Sequence, residues 1–253
     1  ANRCQSTTAR SIATSAGSET RNLREMHMAQ AGTDSGLFIS FEGIDGAGKA
    51  TQAKMLQDAL IARGIKSTIF AFPQYETPTG RIVKAYLDGL FGDPVKVHPA
   101  LASNLYAIDR AAARSAIYAA SVNGVVIFDR FTGSNLAHQG AKLSSGELEG
   151  FIETNDYIEH DLFGLPKPAL TVFLDLDSSI SVANTVARAA EDVSRTTDGH
   201  ETNAPYLDRV RDTYRYLATT RGWKVVIADA DGKMRSQESI HQDVLSEFLK
   251  AAR

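Results

Sequence analysis

The sequence predicts an α/β fold: a five-stranded parallel sheet with helices on both faces. Three observations predict it. Five apolar runs, beginning near Leu37, Lys66, Gly124, Leu170 and Trp223, read as strands. Helical patterns separate them, and strands that alternate with helices pair in parallel. The first strand also runs into a glycine-rich loop and then a helix, which is the context a phosphate-binding P-loop requires. These features together predict a P-loop NTPase-type three-layer fold with a lid.

The loop is Glu42-Gly43-Ile44-Asp45-Gly46-Ala47-Gly48-Lys49-Ala50-Thr51. Leu37 to Phe41 is the strand before it, and Ala53, Leu56, Ala59 and Leu60 mark the apolar face of the helix after it. Gly43, Gly46 and Gly48 let the backbone turn its amides toward one point, and the helix N-terminus adds partial positive charge there. Lys49 supplies a mobile cation for the outer phosphates. One position departs from the pattern. The residue after the lysine is ordinarily Ser or Thr, whose hydroxyl reaches Mg²⁺. Here it is Ala50, and Thr51 follows one place later, turned away by about 100°.

The chain has 253 residues, 43% of them hydrophobic and 23% charged, as expected for one soluble domain with insertions or a tail. A net charge of −3 predicts binding to neither nucleic acid nor an anionic membrane. A single cysteine, Cys4, excludes an internal disulfide and fits a reducing compartment such as the cytoplasm. No apolar run has the length of a membrane-spanning helix. Residues 1–36 are rich in Ser, Thr, Ala and Gly without apolar periodicity, and read as a disordered extension. Arg3, Arg10, Arg21 and Arg24, with no acid before Glu19, fit an organelle-targeting segment as well as they fit a dispensable tail. The folded domain is expected to span 37–253.

Past the loop helix, Gly64 has the place of a C-cap and Pro73 ends the second strand at Phe72. Gln74 to Thr79 reads as a loop and Arg81 to Asp88 as a short helix. Leu101 to Ala120 reads as one long alanine-rich helix. It places Tyr106, Arg110 and Arg114 on one face, a stripe that suits either a base and a phosphate or a solvated surface. Gly124 to Phe128 is continuously apolar and ends in Asp129-Arg130, where such folds keep an acid for the Mg²⁺ shell. An ordinary strand-end ion pair fits the same residues. Ser134, Asn135, His138 and Gln139 follow, with the polar groups that base recognition uses. Glu191 to Asn203 is polar, and a lid is expected at about 188–203. His200 within it has no Cys/His cluster to make a metal site.

At this point the sequence resembles the thymidylate kinase family, from about Leu37 to the C-terminus and with motifs in family order. The carriers are the P-loop, Phe72-Pro73, Leu105-Tyr106-Ala107-Ile108-Asp109-Arg110, Asp129-Arg130-Phe131, Leu165-Pro166-Lys167-Pro168, and Asp198-Gly199-His200-Glu201 before Tyr206-Leu207-Asp208-Arg209-Val210. The resemblance implies transfer of the ATP γ-phosphoryl to dTMP, Mg²⁺ arriving with ATP, and a homodimer. It implies that Gly43, Ile44, Asp45, Gly46, Ala47, Gly48, Lys49, Ala50, Thr51 and Arg188 bind ATP. Asp45, Phe72, Tyr106, Arg110, Arg130, Ser134, Asn135 and Gln139 are implied for dTMP, with Asp45 on the 3′-hydroxyl, Tyr106 stacked on thymine, and Arg110 on the base or monophosphate. Lys49, Asp129, Arg130 and Arg195 are the implied catalytic set, Asp129 holding the metal directly or through water.

Three positions depart from the family: Ala50, Ala169 in place of an Asp after the proline, and Gln74-Tyr75 where an arginine often meets the acceptor phosphate. Arg110 or Arg81 is the expected substitute. Position 46 is glycine, so the further catalytic charge is expected from the lid, from Arg195 first and Arg188 second. Two other readings remain at this stage: a nucleotide-binding homologue weakened at Ala50, and a deoxynucleoside kinase, which needs a carboxylate base just past the second strand, where only Glu76 is near.

Overall fold

The structure is a computed structural model and describes residues 37–122, 124–191 and 203–251, with the backbone alone at 188–191. The expected extension at 1–36 and the lid segment 192–202, with Arg195, lie outside these residues. The elements run β1 (Phe38–Glu42), α1 (Lys49–Ala62), β2 (Ser67–Ala71), α2 (Pro78–Leu87), α3 (Pro99–Ala112), α4 (Arg114–Ser121), β3 (Val125–Asp129), α5 (Thr132–Gly140) and α6 (Ser145–Asp156). A π-helical segment (Tyr157–Leu162) extends α6 and leads to β4 (Leu170–Asp175), α7 (Ser178–Glu191), α8 (Ala204–Arg221), β5 (Lys224–Ile227), a short hairpin β6–β7 (Asp229–Ala230, Lys233–Met234) and α9 (Gln237–Ala251).

The five strands are all parallel, in the order β2-β3-β1-β4-β5. The chain leaves β1 toward β2 on one side and leaves β3 toward β4 on the other. Connections that depart in opposite directions open a crevice at the carboxyl ends of the two strands. That crevice holds the P-loop, which follows β1, and Asp129-Arg130, which ends β3; Phe41 and Asp129 are register partners.

Burial on both faces explains why the central strands β1, β3 and β4 are largely apolar. In β3, Val125 and Ile127 join one core cluster and Val126 and Phe128 the other. Helices α1 and α9 cover one face, and α4 and α8 pack on the other, with α5 against α8. Phe128 is fully buried, with its ring stacked 3.9 Å from that of Phe131 and parallel to Phe38 at 6.2 Å.

One expected element divides. The helix read over 101–120 begins at Pro99 and is interrupted at Ala113. The second half turns to bury Ala113 and Ile117 in the Phe38–Phe128 cluster, and Arg114 and Tyr118 both donate to the Gly164 carbonyl at 3.0 Å. Alanine content favours helix without enforcing a straight one, and tertiary packing sets the break. The interruption removes Arg114 from the stripe of Tyr106 and Arg110.

Phe128→Ala would empty the aromatic layer beneath β3, and urea denaturation should show a loss of about 3–5 kcal/mol.

Candidate functional site

The site is assembled from three backbone turns. Gly43 opens the P-loop at φ +145, and a Cβ there would lie 2.6 Å from the Leu174 carbonyl oxygen, so only glycine lets β1 and β4 approach so closely. Gly48, at φ +90, is the N-cap of α1 and provides no side-chain cap. The first amides of that helix are therefore free of a capping side chain and suit an anion. Lys49 is buried, and its Nζ donates to the Ile44 carbonyl at 2.7 Å. Burial, then the neighbouring Arg130, bring its ammonium down to about 8 against the opposing pull of Asp45, Asp129 and Glu42. Ala50 is exposed and Thr51 half-buried.

The turn after β3 faces this loop. Arg130 adopts φ +65, unusual for a non-glycine residue. Its guanidinium pairs with the Asp45 carboxylate and donates to the Gly43 carbonyl at 3.2 Å and Ser134 Oγ at 3.4 Å. Burial alone would raise the Asp45 carboxyl; Arg130 and Lys49 outweigh it and hold the group well below the usual carboxylate range. Asp129 is half-buried beside them, and its carboxylate accepts no hydrogen bond among the described residues. Glu42 is 1% exposed and accepts from Ser40 Oγ at 2.8 Å, Ser134 Oγ at 2.6 Å and the Phe131 amide at 3.0 Å. Burial pushes its carboxyl up, and these donors hold it back.

Beyond Arg130 a cleft of about 660 Å³ opens to solvent. Every residue implied for dTMP lines it: Asp45, Phe72, Tyr106, Arg110, Arg130, Ser134, Asn135 and Gln139. Tyr75, His138 and Tyr206 also line it. Asn135 Oδ1 and Gln139 Oε1 are buried and have no hydrogen-bond partner among the described residues. Arg110, 2% exposed, is paired through Nε and Nη2 with both oxygens of Glu159, at 2.5 and 2.7 Å. Arg81, offered as a substitute clamp, is exposed on α2 and lies outside the cleft lining. Arg188 sits on α7, and its side chain, like Arg195, lies outside what is described.

Sequence reading missed the groups that position these residues. Asp109, 1% exposed, accepts from the Gln74 amide at 2.9 Å and from Thr79 Oγ1 at 3.0 Å, and so fixes the loop after Phe72-Pro73. Glu159, the Arg110 partner, comes from a segment that gave no helical signal of its own. Glu42 offered one clue, an acid closing an apolar strand.

The thymidylate kinase family profile matches residues 41–244. The chain is 34% identical over 203 residues to a thymidylate kinase of Mycobacterium tuberculosis (strain ATCC 25618 / H37Rv), covering 77% of this chain and 93% of that protein. It is 31% identical over 214 residues to the thymidylate kinase of Homo sapiens, covering 83% and 88%. The chain belongs to the thymidylate kinase family. A solved thymidylate kinase structure from Candida albicans superposes with a TM-score of 0.61 at 22% identity, covering 86% of this chain and 94% of that one, which supports the fold. No described helix is long and apolar enough to cross a membrane.

The depressed Lys49 ammonium gives a testable consequence. Triphosphate bound in the loop would restore its proton, so ATP binding should take up about half a proton at pH 8, close to one at pH 9 and almost none at pH 7. Titration calorimetry in buffers of different ionisation enthalpy measures this, and Lys49→Met should abolish the uptake.

Proposed function

We propose that this chain is an ATP-dependent dTMP kinase, giving dTDP and ADP in dTTP biosynthesis. One observation carries the reading: Arg130 touches the P-loop at Gly43 and Asp45 and the cleft at Ser134, so a single cation stands between a donor-phosphate loop and an acceptor cleft. ATP would occupy the loop from Gly43 to Thr51, with Lys49 swinging from the Ile44 carbonyl to the outer phosphates. The pyrimidine of dTMP would lie against Tyr106, with Asn135 and Gln139 as acceptors and Arg110 as donor. Arg130 would release part of its hold on Asp45 and bridge the two phosphates, leaving Asp45 for the 3′-hydroxyl.

Phosphoryl transfer asks the protein mainly for position and positive charge. The acceptor phosphate is already anionic and needs no base. Glu76, the nearest acid past β2, is exposed and outside the cleft lining, and Asp45 is held too acidic to be an effective base. Both points favour a monophosphate acceptor over a nucleoside hydroxyl. Asp129 suits Mg²⁺: it is a hard oxygen donor at the strand end with no competing hydrogen bond among the described residues. Glu42 does not, because its oxygens are already committed. The metal supplies charge neutralisation on the transferring phosphates and would be held chiefly by ATP, water and Asp129. Arg195 is proposed as the lid cation, because Gly46 leaves the loop without one. A homodimer is also proposed. Leu101 and Ile108, two turns apart on α3, are exposed apolar side chains on one helix face, and sedimentation at two concentrations would test for a second copy there.

An ADP-release assay with ATP and Mg²⁺ should show turnover with dTMP well above thymidine, dUMP and dGMP. Turnover confined to thymidine, or ATP binding without any turnover, would overturn the assignment. Arg195→Ala should lower kcat by about 100-fold or more, and a rate within about twofold of wild type would remove it from the mechanism.

A further inference from the structure

We propose that Glu159 sets the base preference of the acceptor cleft by holding Asn135 and Arg110 so that an amide oxygen and a cationic donor face the base together. The inference rests on the reading of the cleft as a pyrimidine monophosphate site. Asn135 is buried on α5, and its Nδ2 donates to Glu159 Oε1 at 2.9 Å and to the Ser103 carbonyl at 3.2 Å. Amide nitrogen and oxygen are nearly isosteric, so neighbours decide the orientation. Here the decision is forced. The Ser103 carbonyl can only accept, and the Glu159 carboxylate receives two N–H groups from Arg110. An atom facing two acceptors must be the nitrogen.

The amide oxygen is therefore turned the other way, where it is buried and unpartnered among the described residues. A buried acceptor without a donor is costly, and a ligand N–H would relieve it. The same carboxylate fixes the adjacent donor: with Nε and Nη2 committed to Glu159, Arg110 keeps Nη1 free of hydrogen bonds among the described residues. An acceptor beside a cationic donor matches the imide edge of thymine or uracil, where N3–H stands between two carbonyl oxygens. Cytosine presents the reverse, an N3 lone pair beside an amine. It would set lone pair against Oδ1 and amine against guanidinium.

The chain places Glu159 through the π-helical segment after α6. Phe163 N–H closes onto the Ile158 carbonyl and Leu165 N–H onto the Glu159 carbonyl, both at 2.9 Å, and the wider turn leaves Glu159 1% exposed beneath the cleft. Such turns recur at functional sites. Glu159 lies outside the cleft lining, so it is a positioning residue that acts through Asn135 and Arg110.

Glu159→Gln keeps size and shape. Its oxygen takes the Oε1 place, where it still accepts from Asn135 Nδ2 and Arg110 Nη2, and its NH₂ then faces the Arg110 Nε–H, donor against donor. Asn135 keeps its orientation, which the Ser103 carbonyl also demands, while the guanidinium loses its paired hold and no longer presents Nη1 to the base in a fixed direction. The experiment compares kcat/KM for dTMP, dUMP and dCMP in wild type, Glu159→Gln and Glu159→Asp, with the KM for ATP as control. Wild type should prefer dTMP to dCMP by about 100-fold or more, and Glu159→Gln should shrink that ratio by about tenfold or more, through a loss on dTMP and dUMP that dCMP does not share. Glu159→Asp should retain the preference, and the KM for ATP should stay constant. A purely structural role would lower all three acceptors alike, and an unchanged ratio in folded Glu159→Gln overturns the proposal. Wild type that turns over none of the three defeats the acceptor reading, and this proposal with it. If Glu159→Gln does not fold, the wild-type chain decides by NMR. The Asn135 side-chain N–H protons should be protected from exchange with the cleft empty, and exchange at solvent rates would contradict the orientation.

Discussion

The arrangement of this site depends on the buried carboxylate of Glu42. It closes β1, the central strand, and sits where the P-loop begins. An acid that loses its water needs donors, and Glu42 finds them in Ser40, Ser134 and the Phe131 amide. Two of those belong to the turn into α5, whose N-terminus favours negative charge. The need to satisfy one carboxylate thus fixes the β3–α5 turn against the end of β1. Within that turn Arg130 takes its positive φ and faces the loop instead of solvent. Tyr214 of α8 donates to Ser134 Oγ at 2.9 Å and extends the same network into the helix that packs against α5.

Charge is distributed along the crevice in a way that suits phosphoryl transfer. Lys49, which is buried, and Arg130, which is half-buried, are both cations held by protein oxygens, a carbonyl for one and mainly the Asp45 carboxylate for the other. Each is secured in the absence of phosphate by a partner it can exchange for one. Beyond Arg130 the polarity reverses. The cleft offers amide oxygens that have no partner among the described residues, and Arg110, a second cation on its lining, is neutralised by Glu159. Anionic phosphate is favoured at one end and an N–H-bearing base at the other.

Much of this was legible in the sequence. The three central strands announced themselves because a parallel sheet buried on both faces leaves few polar positions, as Val125 to Phe128 show. The P-loop was legible because its glycines answer to backbone geometry. The cleft residues Tyr106, Asn135 and Gln139 were found through a family resemblance more than by spacing, since a helical stripe alone looks like a solvated face. Other features were hidden for physical reasons. The break at Ala113 arises from packing on Phe38 and Phe128, which alanine spacing does not encode. The π-helical turn leaves no periodic mark in six residues. Glu159 and Asp109 read as ordinary charges because their partners lie 49 and 35 residues away.

The central claim is that thymine is read by a free acceptor held beside a phosphate loop. Titration calorimetry with dTMP and its N3-methyl analogue tests it most directly, since the analogue keeps the ring, sugar and phosphate and carries a methyl group in place of the imide proton. The account predicts clear binding of dTMP and a loss of about 100-fold or more for the analogue, because Asn135 Oδ1 would stay buried and unpaired against a methyl group. Equal affinity for the two would contradict it.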